Sequence, residues 1–183
     1  MSQVLYRSLS GILIKCLFKN RCSCDWIKYL KEYIDSYYFV DNRSSKLVYD
    51  FLDKYFPLRR ELAEDYVIRQ YSDNPEKIFY SAVDLLLYLD QNPDCDYLLY
   101  WQNLDDDNDI KQFTLQYTDD GKMIFGVSIY GNELESEKSI EVFNEVRNYL
   151  NSPIACITGE EPPPWNSIDF IDFCNERYDP ARL

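Results

Sequence analysis

The sequence predicts an α+β fold in which N-terminal helices precede a mainly antiparallel sheet of about four strands that is packed with helices. Apolar residues recur at helical spacing before Asp96 and follow strand patterns after it. Hydrophobic residues make up 46% of the 183-residue chain, which is enough to bury a sizeable core. We therefore expect a single domain, 1–183, with a helical part, 1–95, and a β-β-β-α-β-α part, 96–183.

The helical part contains four segments in which apolar side chains three and four residues apart share one face. The first is rich in aromatic residues and stops at Asp41-Asn42. The last begins at Ser81, whose hydroxyl can cap it while Asp84 completes a capping box. The helices are expected over 26–38, 47–55, 62–71 and from Ser81 to the residues before Pro93.

The second part begins with three strands. Residues 97–103 form an apolar, aromatic run that suits a strand near the centre of a sheet. Residues 113–118 and 123–129 alternate between apolar and polar, and Asp120-Gly121 between them supplies turn chemistry, so they predict a hairpin.

A helix, a strand and a last helix complete the predicted order. Ser136 can cap a helix that carries Ile140, Phe143, Val146 and Leu150 toward the core and that stops at Asn151 and Pro153. Residues 154–158 are apolar enough for a fourth strand. Pro162, Pro163 and Pro164 then enforce an extended connection, and Ser167 is expected to cap the final helix.

The charge and the missing histidines exclude several function classes. The chain has 19 Lys+Arg, 32 Asp+Glu and no His, so its net charge is −13 and His-based catalysis and metal ligation are excluded. Residues 101–183 hold 17 of the acids and 6 of the bases, a net of −11. Strong acidity disfavours nucleic acid or an anionic membrane as the partner and favours a basic protein, although it can also serve solubility alone.

Other sequence signals point to a cytoplasmic protein that is not an enzyme and needs no cofactor. No window of 18 apolar residues could span a membrane. The six cysteines read as reduced, mostly buried thiols, and Cys22-Ser-Cys24 has the wrong spacing for zinc, so no metal is expected. Glycine-rich phosphate loops and common hydrolase motifs do not occur.

The sharpest candidate site is an acidic loop between two predicted strands. It resembles a calcium loop, but Ile110 replaces the required Gly and Gln116 the required Glu. The loop is therefore read as a solvated turn, as a patch of fixed charge for a basic partner, or as an unrecognised metal site. Its carboxylates are those of Asp105, Asp106, Asp107 and Asp109.

Two further sets of residues extend the candidate partner-binding surface. Residues spaced four apart on the predicted helix share one face, which is either solvated or matched to a cation: Glu137, Glu141 and Glu145, preceded by Glu133 and Glu135. The second set, in a stiff proline-rich loop, is Glu160, Glu161 and Trp165. Buried aromatics such as Trp101 or Trp165 would then supply affinity.

The acidic second half, with its aromatic strand, Asp-Gly hairpin and Glu-Pro-Pro element before a Phe-rich helix, resembles small immunity proteins of bacterial toxin systems. The resemblance covers mainly 97–178. It implies a cytoplasmic inhibitor that binds a cognate toxin, often a basic nuclease. The alternatives are a metal-dependent enzyme that uses clustered carboxylates, and an adaptor that docks through the aromatic segments of 24–71.

Overall fold

The structure, a computed structural model, describes residues 32–70 and 74–182. Along these residues it shows an α+β fold, as the sequence predicts. The strands are β1 (Tyr33–Val40), β2 (Arg59–Glu61), β3 (Tyr66–Ile68), β4 (Lys77–Phe79), β5 (Tyr97–Asn103), β6 (Ile110–Tyr117), β7 (Met123–Tyr130) and β8 (Ala155–Thr158). The helices are α1 (Ser45–Tyr55), α2 (Ala82–Gln91), α3 (Glu137–Leu150) and α4 (Ser167–Asn175), followed by a 3-10 helix, Pro180–Arg182.

Six strands form one antiparallel sheet in the order β2-β5-β6-β7-β1-β8. The first strand in the chain therefore lies inside the sheet, where Tyr37 is opposite Gly126 on β7 and Cys156 on β8. The strands β3 and β4 pair separately. The sheet exceeds the expected four strands because β1 and β2 come from the part that the sequence predicts to be helical.

The prediction of a helix over 26–38 is wrong for the residues that the structure describes, because residues 33–40 form β1. The portion before Glu32 lies outside the described residues. A strand covered on both faces carries apolar side chains in succession, and such a run does not distinguish a strand from a buried helix. Tyr37, Tyr38 and Phe39 are all buried. Pairing with two neighbouring strands decides the conformation.

The prediction of a helix over 62–71 is also wrong. Residues 66–68 form β3, whose Tyr66 is opposite Phe79 on β4, and the backbone N–H of Leu62 donates to Tyr100 in β5 at 3.2 Å. Tyr71 lies outside the described residues. The apolar spacing is helical, but pairing of β3 with β4 and the hydrogen bond to β5 override it, as is common for short segments.

The remaining predicted elements are confirmed with small changes at their ends. Ser81 and Ser136 cap α2 and α3 by accepting from the backbone N–H groups of Val83 and Ser139. The last helix is capped by Asn166 instead of the expected Ser167. The Ser167 hydroxyl instead donates to the Asp120 carboxylate in the β6–β7 turn. This contact ties the start of α4 to that turn.

The main core lies between α1, α2, α3 and one face of the sheet. At its centre Phe51 is fully buried, with ring centroids 4.8 Å from those of Tyr55 and Phe113 and 5.3 Å from that of Phe125. The other sheet face carries a smaller cluster, formed with α4 by Tyr37, Phe39, Ile124, Cys156, Phe170, Phe173 and Cys174. The helix α4 therefore packs on a smaller apolar surface than the other three helices.

Arg43 is expected to be a strong contributor to stability. Its guanidinium donates to the carbonyls of Leu89 at 2.8 Å, Asn92 at 2.7 Å, Cys95 at 2.9 Å and Thr118. It thereby joins the end of α2 to the end of β6. Lysine cannot reproduce this planar fork, so Arg43→Lys should lower the free energy of unfolding by about 2 kcal/mol, measured by urea denaturation.

A matched control for this substitution is Arg60→Lys. Arg60 is exposed and donates to the side chain of Gln102 rather than to backbone carbonyls. Its substitution should change the free energy of unfolding by about 0.5 kcal/mol or less. Equal effects of the two substitutions would contradict a special role for the Arg43 contacts.

Candidate functional site

The topology collects several acidic segments at one end of the sheet. Here β5, β7 and β8 end while β6 and β1 begin, as the pairing of Tyr33 with Tyr130 and of Ile110 with Ile129 shows. We call this region the acidic end. The carboxylates on the segments that meet there are those of Glu32, Asp105, Asp106, Asp107, Asp109, Glu133, Glu135, Glu137, Glu160 and Glu161.

The acidic end is broad. From β5 to β8 the sheet order crosses four inter-strand spacings, which corresponds to about 20 Å. Residues separated by more than fifty positions in sequence thus contribute to one surface. Nearly all of these acids are candidates from the sequence alone, but only the strand order places the β5–β6 loop and the segments after β7 and β8 at the same end.

The β5–β6 loop is ordered by its own side chains. The Asn103 Oδ1 atom accepts from the backbone N–H of Asp105 at 3.1 Å, and Asp105 Oδ1 accepts from that of Asp107 at 3.0 Å. The Asn108 side chain accepts from the N–H of Ile110 at 2.9 Å. These local turns leave the side chains of Asp106 and Asp107 exposed. The loop therefore presents fixed, solvent-facing charge.

Two lysines contact this loop. Lys111 donates to the backbone carbonyls of Asp106, at 2.7 Å, and Asn108. Lys138, near the start of α3, forms an ion pair with Asp109. The second contact joins the loop to the helix that carries the other acidic set. It also partly neutralises Asp109, so Asp106 and Asp107 are the stronger candidates for contact with a partner.

The acidic face of α3 leads away from the acidic end. Glu137, Glu141 and Glu145 are all exposed. Glu145 lies 3.4 Å from Lys54 on α1. Burial, together with the Glu145 carboxylate that accepts from the Tyr55 hydroxyl, raises the pKa of Tyr55. Within the described chain, Glu137 and Glu141 form no ion pair. They are thus available to a cationic partner.

The third predicted set is divided by the structure. Glu160 accepts from the backbone N–H of Tyr33 at 3.0 Å. Glu161 forms a bidentate pair with Arg177, which lowers the pKa of the Glu161 carboxyl. Both acids therefore make contacts within the protein at the acidic end.

The predicted aromatic contacts do not lie at the acidic end. Trp165 is half-buried next to Pro164, whose carbonyl accepts from Gln116 at 2.6 Å toward the opposite end of β6. Trp101 is 1% exposed and stacks on Phe113 in the main core. The suggestion that Trp101 contacts a partner is therefore wrong, because a core strand position leaves it no accessible surface.

Two exposed leucines at the acidic end were missed by the sequence analysis. Leu58 is 61% and Leu104 is 53% exposed, and the backbone N–H of Leu104 donates to the Leu58 carbonyl at 2.8 Å. They lie beside the acidic β5–β6 loop. The sequence does not indicate that these two leucines are exposed, because their exposure depends on the pairing of β2 with β5.

A second missed feature is the half-buried carboxylate of Asp35 on β1. Ser128 donates to it at 2.6 Å, and the Tyr37 hydroxyl lies 3.5 Å from it. Burial, with a further contribution from nearby Glu160, raises the pKa of Asp35 to about 6 despite these hydrogen bonds. The sequence gives no signal for Asp35, because the aromatic run around it predicts a helix.

A cleft of about 220 Å³ lies at the start of β1. It is lined by Glu32, Tyr33, Asn132 and Glu160, among others. Across residues 32–70 and 74–182, no group of three Cys, Asp or Glu side chains is arranged to hold a metal ion. In the same part of the chain, no helix combines the length and apolar character needed to cross a membrane.

The fold and site define an α+β protein with a six-stranded antiparallel sheet and a broad acidic surface at one end of it. Comparison with protein-family models, curated proteins and solved structures finds no match to this chain.

Proposed function

We propose that this protein is a non-catalytic inhibitor that binds a basic protein through its acidic end, in the manner of an immunity protein that neutralises a toxin. The observation that carries the proposal is the convergence of acids from separate segments on one surface about 20 Å wide. In the proposed complex, these charges speed association and select the partner.

The leucines beside the acidic loop supply the apolar part of the proposed interface. Interfaces combine an apolar centre with a polar rim, and buried apolar contacts contribute most to slow dissociation. Leu58 is 61% and Leu104 is 53% exposed. Leu104 directly precedes Asp105 in the chain, and its hydrogen bond with Leu58, next to the β2–β5 pair, brings Leu58 to the same place.

The proposal predicts that charge reversal at the acidic end slows partner association. The partner is first isolated from lysate of the source organism at low salt and identified by mass spectrometry. Asp106, Asp107 and Glu133, which are exposed, are then replaced together by lysine. The association rate with the purified partner should fall about tenfold or more at low salt, and its salt dependence should weaken.

A matched variant separates local from overall charge. Asp94, Asp96 and Asp119 are exposed at the opposite end of the sheet, and replacing all three by lysine makes the same change in net charge. This control should slow association by about threefold or less. Equal slowing in both variants would contradict a binding role for the acidic end, as would an unchanged rate in the first variant.

A second candidate function, an adaptor subunit, is favoured by exposed apolar residues around α2. Tyr80 is 79% exposed, Val83 and Leu87 are each 49% exposed one helical turn apart, and Ile78 on β4 is 41% exposed. In the same binding assay, loss of binding on Leu87→Lys with no effect of the acidic-end reversal would favour the adaptor.

A further inference from the structure

Two cysteines from different elements meet beneath α4. Cys156 on β8 and Cys174 on α4 are both fully buried, and their Sγ atoms are 3.2 Å apart. A disulfide requires an S–S distance of about 2.05 Å, so an approach of about 1.1 Å would suffice to form one. Of the described cysteines, Cys95 is instead half-buried near the end of α2.

The surroundings of the pair allow this approach. The helix α4 has nine residues and rests on the small cluster around Tyr37, Phe39 and Ile124. Phe170 and Phe173 of α4 are buried in this smaller cluster, whereas α1, α2 and α3 cover the larger main core. A shift of α4 by about 1 Å therefore disturbs few contacts relative to a similar shift of α1 or α3.

We infer that Cys156 and Cys174 form a reversible modification site, in which oxidation by a low-molecular-weight disulfide such as oxidised glutathione joins them. One cysteine thiolate attacks the small disulfide and releases one small thiol, forming a mixed disulfide. The second cysteine thiolate then displaces the other small thiol. Two protein thiols are oxidised, one small disulfide is reduced to two thiols, and one S–S bond joins β8 to α4.

The position of the pair makes the reaction depend on opening of α4. The hydrogen bond with the Cys174 thiol, together with burial, raises the pKa of Cys156, so the closed protein holds very little of the reactive thiolate. The oxidant reaches the sulfurs when α4 moves away from the sheet. Because opening precedes reaction, urea below the unfolding transition should accelerate disulfide formation.

The bond would also act on the candidate site. The segment from Cys156 to Cys174 contains Glu160, Glu161 and Trp165, and it leads from the acidic end to the start of α4. Closing it into a covalent loop restricts this connection. An effect of oxidation on partner association rests on the proposed function, whereas formation of the bond does not.

The full chain is incubated with oxidised glutathione, with and without urea below the unfolding transition, and remaining thiols are then alkylated. Cleavage after Glu160 separates the two cysteines into different peptides, which mass spectrometry should detect as one linked species that reduction splits. The linked protein should unfold at a Tm about 5–10 °C higher than the reduced protein.

Two cysteine variants provide the controls. Cys174→Ser should show no linked species and no Tm shift with oxidant, whereas Cys95→Ser should retain both. The inference would be overturned if Cys156 and Cys174 were recovered as alkylated thiols both in urea and in buffer. It would also be overturned if either cysteine were linked mainly to a different cysteine. If the bond forms but partner association is unchanged, the modification site stands and its control of the acidic end fails.

Discussion

Replacing Asp35 with asparagine is expected to raise the free energy of unfolding by about 2–3 kcal/mol at pH 8 and to leave it nearly unchanged at pH 4. Burial raises the pKa of Asp35 to about 6, above the value of about 3.9 for an unfolded chain. The folded protein therefore holds this proton more tightly. The resulting stabilisation is present below about pH 4 and is lost as the pH rises through about 6.

Asparagine removes the ionisation while keeping a side-chain oxygen that accepts from Ser128, which donates to Asp35 at 2.6 Å. Urea denaturation of both proteins across pH 4–8 measures the difference. As a control, Asp119→Asn at an exposed turn should change the free energy of unfolding by about 0.5 kcal/mol or less. A difference between wild type and Asp35→Asn that does not change with pH would contradict the buried-carboxylate interpretation.

Replacing Phe51 with alanine should lower the free energy of unfolding by about 3–5 kcal/mol. Phe51 is fully buried, and its ring lies within 4.8–6.2 Å of the aromatic rings of Tyr55, Phe56, Phe113, Phe125 and Tyr149. Alanine leaves a cavity that so many rigid rings cannot fill. Urea denaturation measures the loss.

The matched substitution is Phe51→Leu, which keeps most of the buried apolar volume and should cost about 1–2 kcal/mol. A loss of less than about 1 kcal/mol for Phe51→Ala would show that the side chains around Phe51 collapse into the space. That result would contradict the close aromatic packing between α1 and the sheet.

The second half of the chain was largely predictable because its signals are local. The β6–β7 hairpin combines strict alternation with Asp120-Gly121, and Gly121 has the positive φ of 83° that this turn requires. The Ser136 cap and the apolar face of α3 are likewise contained in neighbouring residues. Such elements depend little on distant partners.

The secondary structure of the segments before α1 and after β2 was predicted wrongly, because their conformation depends on pairing with other strands. The aromatic run at 33–40 is compatible with both a helix and a buried strand, and only pairing with β7 and β8 selects the strand. The short strand β2 is held by pairing with β5, and β3 by pairing with β4. The partners of β1 and β2 lie far along the chain, where no local pattern encodes them, whereas β4 lies close to β3 in sequence.

The same division holds for the candidate site. The sequence by itself determined the α+β class, the acidity of the second half and the identity of most of its clustered carboxylates. Only the tertiary structure placed the β5–β6 loop, the start of α3 and the end of β8 at one end of the sheet, because strand order depends on long-range hydrogen bonding. It likewise buried Trp101 and brought Cys156 to Cys174, since burial and proximity are properties of the packed chain.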